Sequence, residues 1–138
     1  MSERTLTQKL GLKAGHKCLI LNAPGGYLEA LGELPPNTTL ATEPDGGSFD
    51  VVQVFVHNKT DVDSLAPIAI DAIQHDGLLW MTYPKKSSKI KTDITRDIGW
   101  ETVNAKGLEI VAAISIDDTW SGLRFRPSEK VKRQPQKD

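Results

Sequence analysis

Apolar residues along this chain gather in short continuous runs, broken by clusters of glycine, proline and aspartate. Thr5 to Leu10 reads as an opening helix, with Thr5 as its N-cap and Gly11 as its stop. Lys17 to Asn22 is a Leu/Ile-rich run, the habit of a strand buried on both faces. The turn Ala23-Pro24-Gly25-Gly26 leads into a short helix near Tyr27 to Leu31, which Pro35 and Pro36 terminate. Thr38 to Thr42 is a short β-branched strand, and Val51 to Val56 is the strongest strand, with only Gln53 polar. Thr60 and Asp63 have capping-box spacing before a stripe at Leu65, Ile68, Ala72 and Ile73. Pro67 fits best in a first turn, which sets the helix start near Asp63 or Ser64. Gly77 opens a strand over Leu78 to Tyr83. Thr92 starts a helix carrying Ile94, Ile98 and Val103, ended by Lys106 and Gly107. Glu109 to Ile116 and Trp120 to Arg126 are strands joined at Asp117-Asp118.

Strands alternating with helices predict an α/β domain of three layers around a mostly parallel sheet. The last two strands are too close in sequence for a parallel crossover, so they form an antiparallel pair. Between Thr42 and Asp50 about seven residues reach roughly 23 Å when extended. That length carries the chain back past the sheet to a strand that is not the immediate neighbour. The expected organisation is one domain over residues 1–126 and a disordered polar tail over 127–138.

Composition narrows the class. Lys plus Arg is 17 against 18 for Asp plus Glu, a formal net charge of -1, unlike the strongly basic balance of a dedicated nucleic-acid binder. A single cysteine, Cys18, lies inside an apolar run, which reads as a buried hydrophobe in a reducing compartment. The polar start MSERTLTQKL and the shortness of every apolar run point to a cytoplasmic protein without a membrane span.

In open parallel sheets, ligands bind beyond the carboxyl ends of the strands. That rule selects Asn22, Ala23, Gly25, Gly26 and Tyr27 after the first strand, then Glu43, then His57 and Asn58, then Lys85, Lys86, Ser87 and Ser88. Asp117 and Asp118 also follow a strand, but read as turn formers outside that crevice. The glycine turn has two readings: close approach of backbone to a ligand, with the following helix N-terminus favouring an anion, or a tight bend needing positive φ. The segment YPKKSSKIKT sets lysines and hydroxyls beyond a buried strand, suited to phosphate or carboxylate or simply to solvent. Arg96, on the first turns of the next helix, is placed to join that anion site. His57 is the one candidate for proton transfer; no nucleophile–base pair and no metal-ligand spacing is readable.

Several stretches together resemble the Rossmann-like fold of S-adenosylmethionine-dependent methyltransferases: LNAPGGY at the place of the cofactor's glycine loop, PDGGSFDVV leading into the fourth strand, and HDGLLWMTYPK passing into the fifth. The chain more closely resembles a group of short bacterial Rossmann-like proteins with no assigned activity, through LGLKAGHKCLILNAPGGYLEALGELP, GLLWMTYPKKSS, DITRDIGW and DTWSGLRF. The resemblance implies S-adenosylmethionine as the candidate cofactor. Against the methyltransferase pattern, the first strand ends in Asn22 rather than an acid, Pro24 interrupts the glycines, and one strand–helix unit after the first helix is missing. Glu43 lies 21 positions after Asn22, near the spacing of a ribose-binding acid, but stands in the wrong place if Thr38 to Thr42 replaces the third strand. These departures favour a reduced, non-catalytic domain that binds a small anionic ligand or a protein partner at the carboxyl edge. A small methyltransferase is the alternative, and a nucleic-acid-associated protein a weaker one.

Overall fold

The computed structural model describes residues 6–128, without the side chains of His75 and Asp76. Its centre is a six-stranded sheet of β1 (Lys17–Leu21), β2 (Thr39–Ala41), β3 (Phe49–Phe55), β4 (Ile73–Pro84), β5 (Leu108–Ser115) and β6 (Trp120–Pro127), in spatial order β2-β1-β3-β4-β6-β5. The first four run parallel, with Lys17 level with Thr39, Cys18 with Val51 and Val51 with Leu78. β6 is antiparallel to both β4 and β5, as the short β5–β6 connection requires. The link from β2 to β3 passes over β1, the non-neighbour crossover that its length allows.

Helices cover both faces. α1 (Leu6–Leu10) and α2 (Tyr27–Leu31) lie on one, α3 (Lys59–Ala72) and α4 (Glu101–Ala105) on the other. Each central strand therefore buries both sets of alternating side chains. In β3, Val52 and Val54 join the α3 face while Val51 and Phe55 join the α1 face. In β1, Leu19 and Leu21 divide from Cys18 and Ile20 in the same way. Burial pushes the Cys18 thiol up to about 12, so it stays a neutral, unreactive hydrophobe. Trp80, buried in β4, donates its Nε1–H to the Leu10 carbonyl at 2.9 Å and ties the end of α1 to the sheet.

Three elements depart from the sequence pattern. α3 starts at Lys59, because Asn58 caps it by accepting the Asp61 N–H at 2.9 Å. Pro67 thus lies in the helix interior, and small residues Ala66, Ala69 and Ala72 let that helix lie close on the sheet. The helix expected from Thr92 contracts to α4. Residues 85–100 instead form an irregular loop, pinned by buried Ile94 and Trp100 and bent at Gly99 with φ +105°. Ile98, expected in the core, is 58% exposed. The third departure is β4, which begins at Ile73, directly after α3, and shifts register between Phe49 and Val51. At the chain ends, β6 reaches Pro127, one residue into the expected tail. The Thr5 cap and residues 129–138 of that tail lie outside the described residues.

Candidate functional site

The parallel strands bring their carboxyl ends to one rim. At the end of β1, Asn22 takes a left-handed conformation with φ 62°, which asparagine tolerates better than most residues. Its amide donates to the Phe55 carbonyl at 2.9 Å and locks the ends of β1 and β3 together. Gly26 follows in the same backbone region at φ 85° and starts α2, whose Tyr27 N–H returns to the Pro24 carbonyl at 3.1 Å. Gly26 therefore has a conformational reason to be glycine. Gly25 does not. Its φ is not positive, it is exposed, and a Cβ built on it would meet nothing within 4 Å. Open space above an unconstrained glycine leaves its backbone accessible at close range.

Beneath the turn lies a buried polar chain. The Tyr27 hydroxyl donates to Gln53 Oε1 at 2.8 Å, and Gln53 Nε2 donates to Thr82 Oγ1 at 3.0 Å. Burial pushes the Tyr27 phenol up, against a smaller downward pull from the Gln53 bond, so it remains a donor. Phe55 receives Tyr27 and Trp120 edge to face, with centroids 4.6 and 5.1 Å away. These rings form the floor of the rim, and the glycine turn lies at its surface. Among these residues the sequence exposed Gln53, as the one polar position in a buried strand; nothing local marked Thr82 as its partner.

At the end of β3, His57 stands edge to face with Trp120 at 5.3 Å. Asp61 Oδ2 accepts from the His57 backbone N–H at 2.9 Å and lies 3.1 Å from Nδ1. That contact places a proton on Nδ1, and the side chain is 43% exposed. The partner of His57 is thus a carboxylate four residues on, one helical turn into α3. Asn58 is spent on capping α3 and stands apart from the ligand-facing set.

β2 settles the place of Glu43. It pairs directly with β1, Leu19 level with Ala41, so it occupies the second-strand position. Glu43 emerges two residues beyond that last pair, exposed, at the same rim as Asn22. The β5–β6 turn also belongs there. β5 is antiparallel to β6 and β6 to β4, so β5 runs with the parallel strands and delivers Asp117 and Asp118 to the rim at the β5 edge of the sheet, outside its central crevice. The Asp117 carboxylate takes the N–H groups of Thr119 and Trp120, both at 2.8 Å.

The lysine segment is divided in role. Lys85 Nζ donates to Ser115 Oγ at 2.7 Å, and Ser88 Oγ donates to the Lys85 carbonyl at 2.7 Å, so both are held in the loop's own structure. Lys86 and Ser87 are exposed. Lys86 and Arg96 flank a cleft of about 470 Å³ at the end of β4. Arg96 reaches it from the irregular loop, the expected helix being absent there. A second crevice of about 450 Å³, between Ile70 and Leu108, is lined by none of the candidate site residues. α2 has five residues and carries Glu29 in its first turn, which weakens the anion-binding role expected of its N-terminus. Among the described residues no cluster of histidine, cysteine or acids is placed to hold a metal, and no helix is long and apolar enough to cross a membrane.

No protein-family model matches the chain, and no curated protein matches it in sequence. Solved structures do match in fold. A ribosomal-protein methylase from Lactobacillus delbrueckii overlays on 88% of this chain and 74% of its own, with TM-score 0.61 and 12% identity. A SAM-dependent methyltransferase from Aquifex aeolicus covers 87% and 86%, with TM-score 0.59 and 12% identity. The N-methyltransferase NodS from Bradyrhizobium japonicum, solved with S-adenosyl-l-homocysteine, covers 89% and 83%, with TM-score 0.54 and 14% identity. The fold is that of the methyltransferases, as the sequence resemblance implied. The non-catalytic reading is corrected by the same comparison. It rested on Asn22 and Pro24 in the glycine turn, on a missing strand–helix unit and on a misplaced Glu43; β2 stands beside β1, so Glu43 follows the strand next to Asn22, and the solved structures that share the fold are methyltransferases.

Proposed function

We propose that this protein is a small S-adenosylmethionine-dependent methyltransferase. The observation that carries the reading is Gly25, a glycine that neither packing nor backbone conformation requires, lying exposed in the turn after β1. Glu43 supports it. An acid at the end of the strand beside the glycine turn is placed to accept from ribose hydroxyls. The Asn22 side chain spends its amide on Phe55 and keeps Oδ1 available as an acceptor. S-adenosylmethionine supplies a methyl group on a sulfonium sulfur, which departs with the carbon–sulfur electron pair as S-adenosylhomocysteine.

The chain's own contribution is placement and proton transfer. His57 Nε2 would take the proton of the methyl acceptor, with Asp61 holding the ring through Nδ1. The buried, free Cys18 accords with a cytoplasmic setting. The test is calorimetric titration with S-adenosylhomocysteine. Wild type binds it, and Glu43→Ala weakens binding about tenfold, the scale of one lost charged hydrogen bond. Wild-type protein that shows neither heat nor thermal shift with millimolar S-adenosylhomocysteine refutes the reading.

A further inference from the structure

The cleft beyond β4 is built differently from the rest of the rim. Its wall from residues 94–98 is irregular but internally hydrogen-bonded. Thr95 accepts the N–H groups of Asp97 and Ile98 on its hydroxyl at 3.2 and 3.1 Å, donates its own N–H to the Ile98 carbonyl at 3.0 Å, and receives Trp100 Nε1–H on its carbonyl at 2.7 Å. Buried Ile94 and Trp100 anchor the two ends. This staple fixes the backbone that carries Arg96 and Ile98, and Lys86 joins both in the lining of the cleft.

The lining is amphipathic. Lys86 and Arg96 enter no ion pair among the described residues, and Lys85 adds a third positive charge nearby. Asp97 is the single acid in the lining. Exposed Ile98 and half-buried Tyr83 supply an apolar wall, and the Tyr83 hydroxyl has no hydrogen-bond partner among the described residues. An exposed isoleucine beside two uncommitted cations suits a molecule with one apolar end and one acidic end. The volume suits a small molecule.

We propose that this cleft binds a small amphipathic anion, with its carboxylate or phosphate on Arg96 and Lys86 and its apolar body on Ile98 and Tyr83. Its identity as the methyl acceptor rests on the methyltransferase reading above. The cleft lies one strand from His57, and the Val56 N–H to Thr82 carbonyl bond at 2.8 Å joins the two strand ends.

The probes are phenyl phosphate, phenylacetate and neutral 2-phenylethanol, titrated into full-length protein and followed by amide chemical shifts. S-adenosylhomocysteine is titrated in parallel. One acidic probe binds at least tenfold more tightly than the alcohol and shifts Tyr83 and Ile98. Which acid wins separates phosphate from carboxylate recognition. Arg96→Ala weakens that probe at least tenfold and leaves S-adenosylhomocysteine binding and melting temperature unchanged. Equal binding of the alcohol, or an acidic probe unaffected by Arg96→Ala, overturns the proposal. So does a salt-sensitive, Arg96-dependent oligonucleotide that binds where neither acid does. Binding of an acidic probe without S-adenosylhomocysteine binding keeps the anion cleft and removes the acceptor assignment.

Discussion

Gly25 and Gly26 are adjacent in sequence and opposite in physical role, so replacing each with alanine separates ligand contact from folding. At Gly26, φ 85° imposes on alanine a left-handed conformation costing about 1–2 kcal/mol. That lowers the melting temperature by roughly 3–7 °C for a chain of this size. At Gly25 no such cost exists: φ is not positive and the added methyl enters open space. Alanine there restricts the unfolded chain and is neutral or stabilising, by up to about 1 kcal/mol. Yet that methyl stands where a bound ligand would approach the backbone. Displacing a well-fitted contact costs about 1–3 kcal/mol, a loss of roughly 5- to 150-fold in affinity. Urea unfolding followed by tryptophan fluorescence gives the stabilities, and calorimetry with S-adenosylhomocysteine gives the affinities. The expected result is a stable Gly25→Ala protein that binds poorly. If Gly25→Ala binds S-adenosylhomocysteine like wild type, the glycine is a folding residue and the ligand argument built on it collapses.

Other consequences follow from the same structure. Tyr27→Phe strands Gln53 Oε1 in a fully buried site and costs about 1–3 kcal/mol, whereas Tyr27→Phe with Gln53→Leu costs less than the sum; a double-mutant cycle in urea measures the coupling, and strict additivity would show that the chain is not a unit. Asp61→Asn removes the carboxylate that orients His57, so nitrogen chemical shifts of the ring should move from the Nδ1–H tautomer towards a mixture; an unchanged tautomer means that Asp61 does not set it. Gly99→Ala combines φ +105° with overlap on Ile94 and should lower stability by more than 2 kcal/mol while loosening the Arg96 loop, seen as faster amide exchange over residues 94–98. The Thr102 hydroxyl first, and the Lys59 ammonium second, hold the Asp63 carboxyl below its ordinary range. Its folded pKa lies under its unfolded one, so its contribution is present above the unfolded value and disappears as acid titrates it below about pH 4. Asp63→Asn should flatten that part of the acid-stability curve, and an unchanged curve would remove the pair from the account.

The hydrophobic pattern determined the architecture. Short Leu, Ile and Val runs bounded by glycine and proline suit strands buried on both faces, and a turn of a few residues reverses the chain, so the parallel sheet and its antiparallel end were legible in local sequence. It also marked the rim, because loops after parallel strands must emerge together. Tertiary structure decided what those loop residues are free to do. Asn58, Lys85 and Ser88 have the right chemistry for a ligand and are committed to a cap and to loop bonds. Lys86 and Arg96, alike in sequence to any exposed cations, come to line one cleft. Residues 92–100 carry helical spacing but form part of an irregular loop, because buried Ile94 and Trp100 override that spacing. Strand order, too, lies outside periodicity: only the pairing of Leu19 with Ala41 puts Glu43 beside Asn22. Periodicity records which face of an element is apolar; the partner each side chain meets depends on residues distant in the chain, and only their packing supplies it.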